Sequence, residues 1–187
     1  MPAFFLPLVA CAIASIGARD QMLVARLAAA TGQGRSLLTL IFLSCAFSAA
    51  LAAWFGDLVS GMLPRDAKRA LVAIAMLLAA LELAWPWRND EIREPTRSMG
   101  ATLLVLGAQQ LTDAARFLIF ALAAALPSPA LVAAGGFLGS SAVLAWAWSD
   151  PQWFARRRLM RRVRQGVAAI LFLLAVVMGL MARRLIG

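Results

Sequence analysis

The chain contains no histidine and no tyrosine, and Lys68 is its single lysine. These absences exclude Ser-His-Asp and Cys-His catalysis, histidine metal sites and most proton-shuttle chemistry. Charge is scarce as well: 14% of residues are charged, against about 25% in soluble domains. Cysteine is limited to Cys11 and Cys45. Both lie in apolar stretches and read as buried free thiols. No nucleophile–base pair and no cofactor motif is visible, so neither an enzyme nor a resident cofactor is expected.

What remains is apolar. Of 187 residues, 63% are hydrophobic, and the mean hydropathy is +0.82. Soluble domains run at roughly 45–50%, so an all-α integral membrane protein is expected. Six apolar stretches are near spanning length: Phe4–Ala30, Leu37–Leu63, Ala70–Trp87, Ser98–Leu126, Ala130–Ser149 and Gly166–Met181. A lipid environment leaves an open strand without hydrogen-bond partners, so each stretch is read as a helix. The connections carry breakers: Thr31-Gly32-Gln33-Gly34, Pro64-Arg65-Asp66, Glu94-Pro95, Pro127-Ser128-Pro129 and Asp150-Pro151. Trp85, Trp87, Trp146, Trp148 and Trp153 fall at helix ends, as interfacial tryptophans do. Leu8-Val9-Ala10-Cys11 has the form of a lipoprotein cleavage box. It lacks a basic leader and the apolar run continues past it, so it is kept within helix one.

The formal net charge of +9 is read as membrane orientation rather than nucleic-acid binding. Arg35, Arg88, Arg93, Arg97, Arg156, Arg157, Arg158, Arg161, Arg162 and Arg164 fall on one side. Arg65, Lys68, Arg69, Arg183 and Arg184 fall on the other. The positive-inside rule places the first set in the cytoplasm of a bacterial-type inner membrane, with both termini outside. The run Trp153–Arg164 is expected to lie along the inner surface. There the arginines of Arg156–Arg164 would meet anionic lipid, at about 1 kcal/mol each; a plain topology anchor is the alternative.

The six helices divide around the polar connection 88–97. Residues 1–87 and 98–187 then form two three-helix repeats within one membrane domain. An odd number of crossings per repeat makes them inverted, a transporter plan that places the site near the midplane. Corresponding helices carry polar islands: Ser15-Ile16-Gly17-Ala18-Arg19-Asp20-Gln21 in helix one and Gln110-Leu111-Thr112-Asp113-Ala114-Ala115-Arg116 in helix four. Each begins about a dozen residues into its helix.

In helix order, repeat placement and loop lengths the chain resembles the GDT-one, or transmembrane-protein-165, family of small six-helix cation/proton exchangers. That family carries Glu-x-Gly-Asp-Lys/Arg-Ser/Thr in the first helix of each half. In the first island, Gly17 and Arg19 match, while Ser15, Ala18 and Asp20 replace Glu, Asp and Ser/Thr. In the second, Asp113 matches, while Gln110, Thr112, Ala114 and Ala115 depart. The resemblance implies export of a divalent cation, Mn²⁺ or Ca²⁺, in exchange for protons. It makes Asp113 the acid at a matching position.

The residues themselves suggest a cation site. Asp113 and Asp20 would supply carboxylates to a metal ion, and Gln110, Ser15, Gln21 and Thr112 neutral oxygens. Arg19, Arg116 and Glu82 are their charge partners. Asp113 and Arg116 share a helix face at i,i+3 and are expected to pair. Glu82 is placed to meet an arginine of helix one, Arg19 or Arg26. The alternative to a site is an internal salt-bridge network that fixes helix packing. Two further readings stay open. One is an exporter of another small solute, with Arg19 and Arg116 as ligands; the second is a non-transporting membrane protein with a structural role. Gly135 and Gly139 form a GxxxG in helix five, expected to serve packing within the monomer. Asp57 is expected to be solvated.

Overall fold

The computed structural model describes residues 1–85, 99–154 and 157–182. The connection 88–97, Trp87, Arg156, Arg183 and Arg184 lie outside the described residues. Among those described the chain is helical, and three helices are long and apolar enough to cross a membrane. These are α3 (Arg35–Ser60), α7 (Pro129–Ser149) and the greater part of α9 (Arg157–Ala182). Two bent pairs also qualify when each is taken together, giving up to five spans. One joins α1 (Pro2–Ser15) to α2 (Arg19–Thr31) through a 63° bend; the other joins α5 (Met99–Leu111) to α6 (Ala114–Ala125) through 56°. The remaining helices are α4 (Arg65–Ala84) and the short α8 (Pro151–Phe154).

Several exposed side chains would be costly in water. Leu43, Phe47, Trp54, Leu104, Ile170 and Leu173 are all exposed. A solvated surface of this kind is unfavourable, whereas lipid tails accept it. The chain is therefore a membrane-embedded helical protein.

The expected single helices Phe4–Ala30 and Ser98–Leu126 are each broken. The first stops because Ile16 is extended and Gly17 adopts φ +77°, a conformation open to glycine at little cost. The second stops at Asp113, which is extended and restarts the chain as the N-cap of α6. The final helix begins earlier than Gly166. It runs continuously from Arg157, so the basic stretch from there on forms its first turns. Among the described residues, Pro151–Phe154 makes a short element ahead of it. Its start is fixed by Asp150, whose Oδ1 accepts the Trp153 N–H at 3.2 Å.

α1 packs on α7 and α5 on α3; α2 packs on α7 and α6 on α3; α3 meets α7, and α4 runs antiparallel along α9. The α1–α7 contact is parallel and very close. A Cβ on Gly135 would overlap the Phe4 carbonyl, and one on Gly139 the Leu8 carbonyl. The GxxxG thus serves packing inside the monomer, as expected. Gly56 makes a similar approach to the Phe120 carbonyl of α6.

Two apolar cores result. One gathers Cys11, Ala49, Ala79, Leu118, Val132 and Leu171. The other gathers Val24, Ile41, Cys45, Leu106, Leu144 and Phe154. On α3 the passage from one core to the other, between Cys45 and Ala49, falls at Ser48. On α7 it falls between Val132 and Leu144, where Ser140 and Ser141 are buried. A polar layer therefore separates the cores, and both helix breaks lie in it.

Candidate functional site

At the second break, Asp113 is an N-cap whose Oδ2 accepts the Ala115 N–H at 3.3 Å. Such a cap satisfies a donor that the helix start leaves open. One turn on, Arg116 Nη1 lies 3.9 Å from Asp113 Oδ2. Both residues are buried, so the expected i,i+3 pair forms away from water. The same guanidinium donates from Nε to Ser48 Oγ of α3 at 2.9 Å and lies against the Cys45 thiol. Gln110, at the end of α5, is fully buried. Its Oε1 accepts the Ser44 hydroxyl at 2.7 Å and lies 3.2 Å from Ser48 Oγ. The serines thus tie α3 to α5 and α6 at once.

At the first break, Asp20 sits in the first turn of α2, fully buried. Its Oδ1 accepts the Gln21 N–H at 2.7 Å. Gln21 closes the break from the other side: its Oε1 accepts the Gly17 N–H, and its Nε2 donates to the Val143 carbonyl of α7 at 3.4 Å. Asp20, Asp113 and Arg116 are within electrostatic reach of one another. The two islands therefore meet in one cluster, and both acids occupy the positive ends of half-helices.

Beside this cluster lies a second set of charges. Glu82 Oε1 of α4 is 3.5 Å from Arg19 Nε, so of the two arginines offered to it, Arg19 is the one that pairs. The Glu82 carboxylate also faces the Ala114 N–H at the second break. Arg164 of α9 donates to the carbonyls of Glu82 and Trp85, each at 3.3 Å. Its side chain lies across Gly17. Arg19 and Asp20, adjacent in sequence, point apart: the Arg19 side chain is 40% exposed while Asp20 is enclosed.

Ser15, Asp20, Gln21, Gln110 and Asp113 are thus all buried in the polar layer. Thr112 is not. It is exposed, and its hydroxyl lies against the Ala108 and Gln109 carbonyls of its own helix. Residue 112 falls between the last turn of α5 and the cap of α6, and its side chain leaves the layer. Ser44 and Ser48 take the place expected of it. Their i,i+4 spacing in the apolar run of α3 was the available signal. Asp57 is exposed, as expected, and both cysteines are free and buried.

Several enclosed atoms of the cluster make no hydrogen bond: Ser15 Oγ, Asp20 Oδ2, Asp113 Oδ1 and the two terminal nitrogens of Arg116. Buried polar atoms are costly when unsatisfied, so this arrangement is suited to take up a small polar or charged partner. It offers two carboxylates for a cation. Among the described residues no three or more Asp, Glu, Cys or His side chains come together as a metal-binding group. A metal held by Asp20 and Asp113 would therefore take its remaining ligands from neutral oxygens. No protein-family model matches the chain, and neither a curated protein nor a solved structure does so.

Proposed function

We propose that this protein is a transporter that exchanges a cation for protons through the cluster at the two helix breaks. One observation carries the reading. Two polar islands from corresponding positions in the two halves meet in a buried layer, with carboxylate oxygens left without partners. Broken helices whose ends face a polar centre are a recurrent way of building a transport site.

The exchange of neighbours between α1/α2 and α5/α6 across α3 and α7 supports an inverted repeat. In that repeat α4 is the third span in chain order and brings the count to six. Its 20 residues reach about 30 Å, and it is flanked by α6 and α9. The basic connections would face the cytoplasm of a bacterial-type inner membrane, leaving both termini outside. The exposed Arg161 and Arg162 would then meet anionic lipid. The family resemblance points to Mn²⁺ or Ca²⁺ as cargo and to Asp113 as the principal acid.

The test is flux into proteoliposomes containing a pH-sensitive dye. Wild-type protein should couple cation movement to an opposite proton movement. Asp113→Asn, which keeps the cap but loses the charge, should bring flux down to the level of protein-free vesicles while eluting as a folded species. Wild-type flux in Asp113→Asn would remove this acid from the mechanism.

A second reading is favoured by one feature, the terminal nitrogens of Arg116 without hydrogen bonds. They would be ligands for a small anion or zwitterion. Inhibition of cation flux by amino acids or carboxylates at millimolar concentration would favour it.

A further inference from the structure

The cluster contains an odd number of charges. With both aspartates deprotonated, the state that would receive a cation, Asp20 and Asp113 bring two negative charges and Arg116 one positive, all three side chains being enclosed. Other ionisable groups face this cluster from the packed helices: Cys11 on α1, Cys45 on α3, and Glu82 on α4. Both cysteines are free thiols. Glu82 is matched by Arg19, and beyond that pair Arg164 is held by carbonyls at the end of α4. α5 and α7 carry no ionisable side chain. The enclosed trio of Asp20, Asp113 and Arg116 is in that state short of one positive charge, while the adjoining set of Glu82, Arg19 and Arg164 carries one in excess.

Its polar atoms agree with that count. Arg116 is anchored through Nε to Ser48, so its charge stays in the cluster but its terminal nitrogens complete no hydrogen bond. Each carboxylate keeps one oxygen engaged by backbone N–H and one oxygen free. Ser15 Oγ, fully buried beside the first break, makes no hydrogen bond. Three free oxygens and one uncompensated negative charge are what a small cation requires of a site. We infer that this site selects a monovalent cation over a divalent one, with Arg116 as the residue that sets the valence. A divalent ion would leave an excess positive charge enclosed in protein, which is strongly unfavourable. The inference rests on the transport reading and departs from the divalent cargo that the family resemblance implies.

The experiment measures selectivity in proteoliposomes, using ²²Na⁺ and ⁸⁶Rb⁺ against ⁴⁵Ca²⁺ and ⁵⁴Mn²⁺. Wild-type protein should move a monovalent tracer, with equimolar Ca²⁺ or Mn²⁺ inhibiting weakly. Arg116→Gln leaves two uncompensated carboxylates and should shift the preference toward the divalent tracers by about tenfold or more. Asp20→Asn combined with Arg116→Gln restores the count of one negative charge and should return the preference to monovalent ions. This double variant also covers the case in which Arg116→Gln alone does not fold, because it buries fewer unpaired charges. A wild type that prefers Mn²⁺ or Ca²⁺ overturns the inference while leaving the transport reading in place. So does a preference that is the same in wild type and Arg116→Gln, or a double variant that prefers divalent ions. Absence of flux for all four tracers in wild type overturns the transport reading, and the inference with it.

Discussion

The bends of the two broken helices are similar, 63° and 56°, but they are made by different chemistry. The first is conformational. Gly17 turns through a positive φ, and Gln21 reaches back to bind its N–H. The second contains no glycine; Asp113 caps the new helix with its own side chain. The supports differ in the same sense. α1 rests on the bare backbone of α7 at Gly135 and Gly139, whereas α5 is held to α3 by the Ser44 and Ser48 hydroxyls around Gln110. A glycine-built break needs no charge, so Arg19 is free to turn outward to Glu82. The capped break places an acid at its apex and draws Arg116 inward to face it. With both aspartates deprotonated, the excess negative charge of the enclosed trio follows from this asymmetry.

The largest expected effect breaks the close-packed side. Gly139→Leu would drive a side chain into the Leu8 backbone, where neither helix can yield without separating. A loss of about 3 kcal/mol is expected for such overpacking, read as a fall in Tm in detergent. Ser140→Ala, next to it, alters only a hydroxyl bonded to the Gly136 carbonyl of its own helix and should leave Tm nearly unchanged. If the two variants melt alike, the backbone contact is not what holds α1.

Next in size is the glycine of the first break. Gly17→Ala must adopt φ +77° with a Cβ, at a cost of about 1–2 kcal/mol. It also displaces the Arg164 side chain, so the Arg164 bonds to the α4 carbonyls should weaken. Hydrogen exchange at the end of α4 would report that loosening, and unchanged exchange would separate Gly17 from Arg164.

The cap of the second break is worth less. Asp113→Asn retains an acceptor for the Ala115 N–H, so its stability should fall by under about 1 kcal/mol, even where transport is lost. A larger fall would mean that the pair with Arg116 contributes more to folding than the cap does.

Much of this architecture was legible in the sequence because it depends on composition and spacing. The apolar runs gave the helical membrane class. The Asp113–Arg116 pair followed from i,i+3 geometry, and Gly135–Gly139 from a pattern that permits close approach. The breaks were not legible as breaks. An apolar run looks continuous on either side of three or four residues, and the decisive facts are the φ of Gly17 and the cap made by Asp113. Thr112 was misplaced for the same reason: on an unbroken helix its position is ambiguous, and only the cap at Asp113 turns it outward. The start of α9 was missed because arginine is a good helix former and does not end a helix merely by being charged.

The smallest expected effect tests the hydrogen-bonded side. Ser44 donates to Gln110 Oε1 at 2.7 Å, and Ser48 offers a second hydroxyl to the same oxygen at 3.2 Å. Ser44→Ala should therefore cost only about 0.5 kcal/mol, the low end of the net worth of one ordinary hydrogen bond, because Ser48 can still satisfy the amide oxygen. Ser48→Ala removes more: it leaves Arg116 Nε without its acceptor while Gln110 keeps Ser44. If the Ser48 hydroxyl serves mainly as a tether for the guanidinium, Ser48→Ala should change ion selectivity as well as Tm, and Ser44→Ala should change Tm alone. Equal behaviour of the two serines would show that α3 contributes packing to the cluster and does not set the position of its one enclosed positive charge.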